Sequence, residues 1–384
     1  MGTPAKSTST SRRREIGIDG GTWSNRRGYG RFLRELLPEV LRLRPEWRFT
    51  VFLDQPQDDT IEAPNLRWIS AHTGRSVSEG AAADSRRSAT DLIRMSQAVN
   101  RVKLDLLFFP TVYSYFPVLR RLPVVVGIHD TMADRYPQWA FAGKRQELLW
   151  RAKVWLALAQ SSRVVTVSEH SRRSISGHFS IDARRIAVLS EGAAPVFQCA
   201  PVAEEEFVLA VGGISPNKNL GVLIEALAKL RERRPALRLV LVGDYRKDGF
   251  RGCYEELKEQ AEFCGVVGSV EFAGYVPDAE LVGLYNRCMV FAMPSLEEGF
   301  GLPLVEAMAC GCACVVASGH ALEEVGGEAV VLVSEDWAGG LARVLDDAEL
   351  RSTLRRKALA RAKFFSWERG ARALLDVFEE LLRT

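Results

Sequence analysis

The stretch VFAMPSLEEGFGLPLVEAMACGCACVVA, residues 290–317, places two short apolar runs on either side of a glycine-containing loop and a helical segment. The runs 290–293 and 313–317 are continuous in apolar character, as expected for strands that are buried on both faces of a sheet. Pro303 suits the first turn of a helix between them. The stretch therefore predicts a strand, a loop, a helix and a second, parallel strand.

The same alternation extends over most of the chain. Predicted strands of the first half are 16–19, 49–54, 66–70, 104–110, 124–130 and 164–168, with helices at 30–42, 86–101, 144–160 and 169–179. Predicted strands of the second half are 207–212, 237–243, 270–273, 290–293, 313–317 and 329–333. Strands that alternate with helices indicate an α/β architecture with two doubly wound, Rossmann-like parallel-sheet domains.

Domain limits follow from the break in this pattern. The segment APVFQCAPVAEEE, residues 194–206, combines two prolines with three consecutive acids, and we expect it to bury nothing. We expect a disordered tail at 1–13, a first domain at 14–200, a second domain at 201–365 and a capped amphipathic helix from Ser366 to Leu382. A chain of 384 residues is long enough for two cores.

Composition indicates the cellular location of the protein. No apolar run approaches the roughly 18 residues needed to span a bilayer, and seven cysteines without framework spacing favour a reduced, cytoplasmic location. Cys310, Cys312 and Cys314 could form a thiolate cluster, but small buried core residues are the better interpretation. No metal, cofactor or nucleic-acid partner is expected.

Charge is divided unequally along the chain. Residues 1–200 hold 30 Lys or Arg against 19 Asp or Glu, a net charge of +11, whereas residues 201–384 hold 21 against 29, a net charge of −8. This asymmetry predicts a cleft between differently charged domains, and a first domain that attracts anionic lipid or a phosphorylated substrate. Solvated arginines on exposed helices are the alternative explanation.

Polar residues follow the predicted strands at their carboxyl ends, where open parallel sheets bind ligands. Lys218 follows strand 207–212 in GGISPNKNL, where a cation beside a helix start suits a phosphate ligand. Glu298 and Glu306 follow strand 290–293 and can accept hydrogen bonds from sugar hydroxyls. His129 and Asp130 follow residues 124–127, the apolar part of the strand predicted at 124–130, and are predicted to line the rim of the first domain.

The segment EIGIDGGTWSNRRGYGRFLREL, residues 15–36, holds two competing signatures. IDGGTWS, residues 18–24, is similar to the first phosphate loop of actin-like sugar kinases. That class needs a second Asp-x-Gly-Gly loop, but the other Asp-Gly pair, at 248–249, has no strand before it. A dehydrogenase is excluded because no strand precedes a G-x-G-x-x-G loop.

Together these motifs resemble the retaining GT-B glycosyltransferases of group 1, family 4. The residues that carry the resemblance are EGFGLPLVE at 298–306, GGISPNKNL at 212–220, FAGYVPDAELVGLY at 272–285, VSEHSRR at 167–173, GYGRF at 28–32 and IHD at 128–130. The resemblance implies two facing Rossmann-like domains, with the last helix, 366–384, packing back on the first.

The resemblance also implies roles for matching residues. Lys218 would bind the diphosphate, Glu306 the ribose, Glu298 the donor sugar, and His129 would sit beside that sugar, so that His129, Glu298 and Lys218 form the catalytic set. Further donor contacts are implied for Gly28, Gly30, Gly213, Val276, Gly299, Phe300, Gly301 and Leu302.

Several positions depart from the family pattern. Gly213 and Asn217 stand where an arginine is common, so Arg26, Arg27 and Arg31 become candidates for the missing phosphate contact. Glu191 stands where Asn is common. A missing proline before Glu323 and Glu324 leaves their contacts unassigned.

The implied activity is metal-independent transfer of a hexosyl group, with retention, from a nucleoside diphosphate sugar to a glycan or lipid-linked hydroxyl. GDP-mannose is favoured over a UDP-sugar as the donor. The expected location is the cytoplasm, with peripheral association at the inner face of the cell membrane. An epimerase or a nucleotide-sugar-binding protein on the same scaffold is the alternative function.

Overall fold

The computed structural model describes residues 13–25, 28–74, 88–244 and 252–383. Arg26, Arg27 and the Asp248-Gly249 pair lie outside the described residues, as does nearly all of the predicted tail at 1–13.

The first half of the chain forms a seven-stranded sheet in which every neighbouring pair is parallel. Its strands are β1 (Glu15–Asp19), β2 (Arg48–Leu53), β3 (Leu66–Ser70), β4 (Leu106–Phe109), β5 (Val124–Gly127), β6 (Arg163–Thr166) and β7 (Ile186–Val188). Their order in the sheet is β3-β2-β1-β4-β5-β6-β7. The helices are α1 (Gly28–Leu43), α2 (Ala89–Asn100), α3 (Met132–Arg135), α4 (Pro137–Ala140), α5 (Lys144–Gln160) and α6 (Glu169–Phe179).

The second half forms a six-stranded parallel sheet in the order β10-β9-β8-β11-β12-β13. Its strands are β8 (Glu205–Val211), β9 (Arg238–Val242), β10 (Val270–Gly274), β11 (Cys288–Met293), β12 (Cys314–Ala317) and β13 (Val330–Val333). The helices are α7 (Gly221–Arg231), α8 (Tyr254–Phe263), α9 (Asp278–Arg287), α10 (Leu302–Ala309), α11 (Ala321–Gly326), α12 (Trp337–Asp346), α13 (Ala348–Ala362) and α14 (Trp367–Arg383).

The predicted fold class of two doubly wound parallel sheets is confirmed. In each sheet the strand order reverses once, between β1 and β4 and between β8 and β11, and such a switch point opens a crevice for ligands. Some details differ from the sequence prediction. Ala194 and Phe197, in the segment that was expected to bury nothing, are buried, because the apolar ring of Phe197 packs on Tyr285. The three-residue strand β7 was missed because it is too short for a pattern, and β5 ends at Gly127, which puts His129 in the following loop. The division into domains at residue 200 stays a prediction.

Cys310, Cys312 and Cys314 belong to the core of the second half, as predicted from their small apolar context. Cys310, Cys312 and Cys314 are buried, and the sulfurs of Cys288 and Cys312 lie 3.8 Å apart. Burial raises the pKa of Cys310 to about 12, so its thiol stays protonated at neutral pH. These residues therefore fill space at the centre of the second sheet.

The last helix, α14, packs on the first sheet. The rings of Phe378 and Phe108 lie 5.7 Å apart, and those of Trp367 and Phe32 lie 6.0 Å apart. Gly370 of α14 lies so close to the carbonyl oxygen of Ser190 that an added Cβ would overlap that oxygen. The helix thus follows the second sheet in sequence but is held by the first.

Across the four described segments, no helix combines the length and the apolar composition required to cross a membrane.

Gly370 and Gly283 form a matched pair for testing this packing. Both lie inside helices, where replacing glycine with alanine ordinarily stabilises a protein by about 1 kcal/mol. A Cβ at Gly283 meets nothing within 4 Å. We therefore expect Gly283→Ala to raise the denaturation midpoint. Gly370→Ala should instead lower the free energy of unfolding by about 2 kcal/mol through overpacking against Ser190. Equal midpoint shifts in urea denaturation would contradict the close contact of α14.

Candidate functional site

Loops at the carboxyl ends of the two sheets meet directly. The loop after β11 brings Gly299 against His129, which follows β5, so closely that no Cβ would fit at Gly299. The hydroxyl of Ser171 lies 2.7 Å from the carbonyl oxygen of His129 and 3.0 Å from that of Gly299. Ser168 donates to the Gly299 carbonyl oxygen at 2.6 Å. These contacts put the loop that holds Glu298 and the loop that holds His129 in one cleft.

Lys218 and Glu298 form an ion pair at the switch point of the second sheet. Lys218 ends a short 3-10 turn, Pro216–Lys218, after β8, and its Nζ contacts Oε1 of Glu298. Both side chains are largely buried, with relative exposures of 18% and 13%. A small cavity beside the pair is lined by residues that include Gly212, Gly213, Lys218 and Ser295. A far larger cavity, of about 460 Å³, lies elsewhere, around Arg233, Arg234 and Asp346.

Glu306 points into the cleft from α10 and is held by groups from both halves. The hydroxyl of Tyr285 donates to its Oε2 at 3.2 Å, and Arg31 of α1 donates to its Oε1 at 2.8 Å. Arg31 also pairs with Asp278. Burial raises the pKa of Glu306 to about 7, and the charge of Arg31 opposes this rise. The guanidinium of Arg31, which the sequence analysis named as a candidate phosphate contact, is therefore paired with two carboxylates.

His129 is held in one orientation by the first sheet. Its Nε2 lies 2.9 Å from the carbonyl oxygen of Pro110, and its ring packs edge-on against Phe32 and Tyr29. Burial lowers the pKa of His129 to about 4, so the ring is neutral at physiological pH. The neighbouring carboxyl of Asp130 accepts from the backbone N–H of Met132 at 2.9 Å, and burial raises its pKa to about 6.

Glu191, which was noted in the sequence only as a departure from the family pattern, adds another carboxyl to the cleft. It is 5% exposed, and its Oε1 lies 3.9 Å from Nδ1 of His129. Burial, followed by the negative charges of Glu306 and Glu298, raises the pKa of Glu191 to about 8. The cleft therefore holds Glu191 mainly in its neutral form at pH 7.

Two acids join the halves, of which sequence reasoning missed Glu297 and left the contacts of Glu324 unassigned. Glu297 accepts from Arg135 at 3.1 Å and lies 3.2 Å from Nε2 of His170. Glu324 accepts from the backbone N–H groups of Glu169 and His170, at 2.8 and 2.7 Å, at the start of α6. Unpaired N–H groups at a helix start attract a carboxylate. The start of a helix was visible in the sequence. The sequence did not show that its carboxylate partner would be Glu324, which lies 155 positions further along the chain.

Other predicted donor residues are distributed around this centre. Gly30 has a packing role, because a Cβ there would overlap the carbonyl oxygen of Asn25, whereas Gly28 faces open space. Gly301 has a positive φ of 95° at the start of α10, which favours glycine. Phe300 packs against Phe365, with ring centroids 5.5 Å apart.

The remaining three donor residues also lie near the carboxyl ends of the second sheet. Leu302 is buried at the first position of α10, Val276 is partly buried in the turn before α9, and Gly213 follows β8. Roles in ligand binding for all these residues stay predictions. Within the described part of the chain, no three His, Cys, Asp or Glu side chains are grouped to hold a metal ion.

The pairing of Arg31 with Glu306 predicts a pH-dependent stability. Above about pH 7 Glu306 is largely ionised, so Arg31→Met leaves a buried carboxylate without its cation and should lower the free energy of unfolding by about 3 kcal/mol. At about pH 5.5 Glu306 is largely protonated in the folded state, and the loss should be smaller. Urea denaturation of the parent and of Arg31→Met, above pH 7 and at about pH 5.5, measures how the loss of unfolding free energy depends on pH.

Arg42→Met provides the matched control for this experiment. Arg42 lies on the same helix and pairs with Glu39 and Glu368, but its side chain is 55% exposed. Exposed pairs contribute little to stability, so this variant should unfold almost as the parent does at both pH values. A loss in Arg31→Met that is independent of pH would contradict the role of Glu306.

Two family descriptions match nearly all of the chain after its first 25 residues. Residues 26–195 match the family described as Glycosyltransferase Family 4, and residues 197–361 match Glycosyl transferases group 1. The boundary between the two matches falls in the segment that joins the two sheets.

Several named relatives match part of the chain. O-antigen chain mannosyltransferase B of Escherichia coli is 30% identical over 243 residues, which cover 59% of this chain and 62% of that protein. The serotype-specific mannosyltransferase WbdA of the same species is 33% identical over 189 residues, 47% of this chain and 22% of WbdA. A D-inositol 3-phosphate glycosyltransferase of Salinispora tropica is 38% identical over 190 residues, 46% of this chain and 39% of that enzyme. The matched regions thus span less than two thirds of these relatives.

Solved structures share the architecture over almost the whole chain. Sucrose-phosphate synthase from Thermosynechococcus elongatus superposes with a TM-score of 0.75 and 19% identity, covering 97% of this chain and 100% of that one. Anabaena Alr3699/HepE, solved in complex with UDP and glucose, gives 0.69 and 20%, covering 96% and 99%. At these identities the likeness concerns the fold, which is GT-B. With both sheets, their facing carboxyl ends and both family matches in agreement, this chain belongs to the group 1, family 4 glycosyltransferases.

Proposed function

We propose that this glycosyltransferase moves a hexosyl group, with retention, from a nucleoside diphosphate sugar to a hydroxyl of a glycan or lipid-linked acceptor. The observation that carries the proposal is the ion pair of Lys218 and Glu298 at the switch point of the second sheet. It lies in the same cleft as His129 of the first half, since Gly299 contacts His129 directly. A cation for the phosphates and a carboxylate for sugar hydroxyls thus stand side by side.

Donor binding would exchange partners within this cleft. A diphosphate that accepts hydrogen bonds from Lys218 releases the carboxylate of Glu298 to accept from hydroxyls of the sugar. Ribose hydroxyls that donate to Glu306 would likewise displace Arg31. The freed guanidinium could then supply the phosphate charge that Gly213 and Asn217 lack, with Arg26 and Arg27 as the other sources.

The chemistry requires that a departing diphosphate be stabilised beside an oxocarbenium-like carbon. Lys218 places positive charge where the phosphates would leave, and the neutral ring of His129 adds no competing charge near the sugar. The resemblance to the family implies that the departing phosphate helps to deprotonate the acceptor hydroxyl. A protein nucleophile is then not required for retention.

The donor is best assigned from the relatives. Several are named mannosyltransferases, which supports GDP-mannose, whereas the complex of Alr3699/HepE with UDP and glucose supports a UDP-sugar. Membership of the family removes the sugar kinase as an alternative. An epimerase or a nucleotide-sugar-binding protein would use the same donor site without transfer.

A thermal-shift screen against GDP, UDP, ADP and dTDP and their sugars tests the donor assignment. A ligand at about 100 times its dissociation constant stabilises the folded state by about 2.7 kcal/mol, so the true donor should raise the melting temperature by several degrees. We expect the largest shift with GDP-mannose. Transfer of labelled sugar to an acceptor then separates a transferase from an epimerase or a binding protein.

Lys218→Ala and Glu298→Ala identify the site in the same screen. Both variants should lose most of the donor-induced shift and nearly all transfer. Lys229→Ala, which removes a lysine from the last turn of the neighbouring helix α7, is the matched control and should behave as the parent. Undiminished transfer in both site variants would refute the assignment.

The proposed membrane association has a candidate surface on α5. Its solvent-exposed apolar residues are Leu148, Leu149, Trp155 and Leu156. Exposed cations on the same helix are Lys144, Arg145 and Arg151. Apolar side chains next to cations suit the interface of a membrane that contains anionic lipid. The buried face of α5 leads toward the cleft, because Trp150 packs on Tyr113 and Tyr113 packs on Tyr29.

Vesicle co-sedimentation tests this surface. The protein should bind vesicles of equal parts phosphatidylcholine and phosphatidylglycerol, and bind phosphatidylcholine vesicles much more weakly. Each cation near a lipid surface contributes about 1 kcal/mol, so Lys144→Gln with Arg145→Gln should weaken binding roughly 30-fold. Trp155→Ser should also weaken it, because an interfacial aromatic anchor is lost.

Phe263→Ser is the control for apolar loss, since Phe263 is 92% exposed on α8 of the second half. It should leave vesicle binding unchanged. If Trp155→Ser instead dissociates a dimer and vesicle binding is absent, α5 contacts a second copy of the chain and the membrane proposal is wrong.

A further inference from the structure

Two acids of the second half contact the start of helix α6 in the first half. Glu324 of α11 accepts from the backbone N–H groups of Glu169 and His170, at 2.8 and 2.7 Å, with one carboxylate oxygen for each. Glu297, in the loop after β11, is 6% exposed and lies 3.2 Å from Nε2 of the His170 side chain. It also accepts from Arg135 at 3.1 Å. Both acids therefore make their contacts on one small surface of the first half.

The start of α6 leaves these two N–H groups available to an acceptor from outside the helix. The first N–H groups of a helix have no carbonyl partner within it. The side chain of Ser168, the N-cap residue, accepts from the N–H of Ser171 and so occupies neither group. A carboxylate suits the remaining pair, because its charge and the helix dipole strengthen both hydrogen bonds. Glu324 thus caps α6 from the other half of the molecule.

The same surface holds the backbone on either side of Glu298. Glu297, the residue before it, is anchored by the two side chains described above. Gly299, the residue after it, accepts hydrogen bonds from the hydroxyls of Ser168 and Ser171. The carboxylate that the proposed function assigns to the sugar hydroxyls is therefore presented by a loop whose neighbouring residues are both anchored to the first half.

We propose that Glu324 and Glu297 are positioning residues that keep the cleft closed over the bound donor and hold Glu298 against the sugar. Contacts that exist only while the halves are together favour the closed arrangement by their own free energy. Neither acid is among the groups that the donor is proposed to engage, so donor binding leaves both contacts in place. The inference rests on the proposed function, because the cleft closes over a nucleoside diphosphate sugar.

The two acids differ in this respect from the pair of Arg31 and Glu306, which also joins the halves. Under the proposed function the ribose displaces Arg31 from Glu306, so that ion pair is given up when the donor enters. The contacts of Glu324 and Glu297 then carry a larger share of the free energy that holds the halves together. Release of the donor requires these contacts to break, and weakening them should therefore speed its release.

Hydrogen exchange tests the docking of Glu324 without any nucleotide. Because the N–H groups of Glu169 and His170 have no acceptor within α6, their protection reports the contact with Glu324. Both should exchange slowly in the parent protein and roughly tenfold faster in Glu324→Ala. Glu324→Gln keeps one acceptor oxygen and should lie between the two. Mass spectrometry of overlapping peptides across residues 164–175 measures the exchange.

Glu323→Ala is the matched control for this experiment. Glu323 is the neighbouring acid of α11 and also accepts from a backbone N–H, but that group belongs to Gly319 of the same half, at 2.9 Å. The variant should leave exchange at residues 169 and 170 as it is in the parent protein. Exchange at these residues that is equally fast in the parent and in Glu324→Ala would show that the docking does not occur.

Donor release is the readout that a merely structural role would not move. Surface plasmon resonance with GDP-mannose, and with UDP-glucose as the second probe, gives the dissociation rate of each nucleotide sugar. Loss of the two charged hydrogen bonds in Glu324→Ala should raise that rate about tenfold. Glu297→Gln loses the charge that faces Arg135 and His170 and should raise it about threefold. Glu323→Ala should release both probes as the parent protein does.

The outcomes separate this inference from the proposed function. If neither nucleotide sugar binds the parent protein, the proposed donor class is wrong and the retention of the donor by the two acids fails with it, whereas the exchange rates still decide whether Glu324 docks on α6. If a nucleotide sugar binds but leaves Glu324→Ala and Glu297→Gln as slowly as it leaves the parent, the donor class stands and the positioning role is wrong.

Discussion

The contact between Gly299 and His129 is the constraint on which the site depends. It joins the loop after β11 to the loop after β5, and the hydroxyls of Ser168 and Ser171 reach the carbonyl oxygen of Gly299 from the start of α6. The hydroxyl of Ser171 lies between the backbone carbonyl oxygens of His129 and Gly299, in loops that follow strands of the two sheets. It therefore holds the two sheets at a defined separation. The same contact explains why Gly299 must be glycine, since a side chain there would push the halves apart.

Electrostatics of the cleft follow from this close approach. Three carboxyl groups, Glu191, Glu298 and Glu306, lie in it with two cations, Lys218 and Arg31, each already paired. Burying this much negative charge is costly, and protonation relieves the cost, so the pKa values of Glu191 and Glu306 are raised. Such a site favours a ligand that brings hydroxyls to the carboxyls and phosphates to the cations.

The individual elements were largely predictable because their signals are local. The strand and helix pattern of residues 290–317 was recovered, and α5 and α6 occur where helical spacing predicted them. Lys218, Glu298 and His129 were chosen as candidates because parallel sheets collect ligands at the carboxyl ends of their strands, and the structure brings the three into one cleft. The strand β7 was missed, since three residues carry no periodicity.

The sequence by itself determined the class of fold, the family and the residue types at each strand end, because these depend on short-range patterns and fixed motifs. Only the tertiary structure decided which groups meet. It paired Arg31 with Glu306, placed Glu324 at the start of α6 and set Glu191 beside His129. The physical reason is that contacts across the cleft depend on how two separately folded sheets face each other, and no local pattern in the chain encodes that geometry.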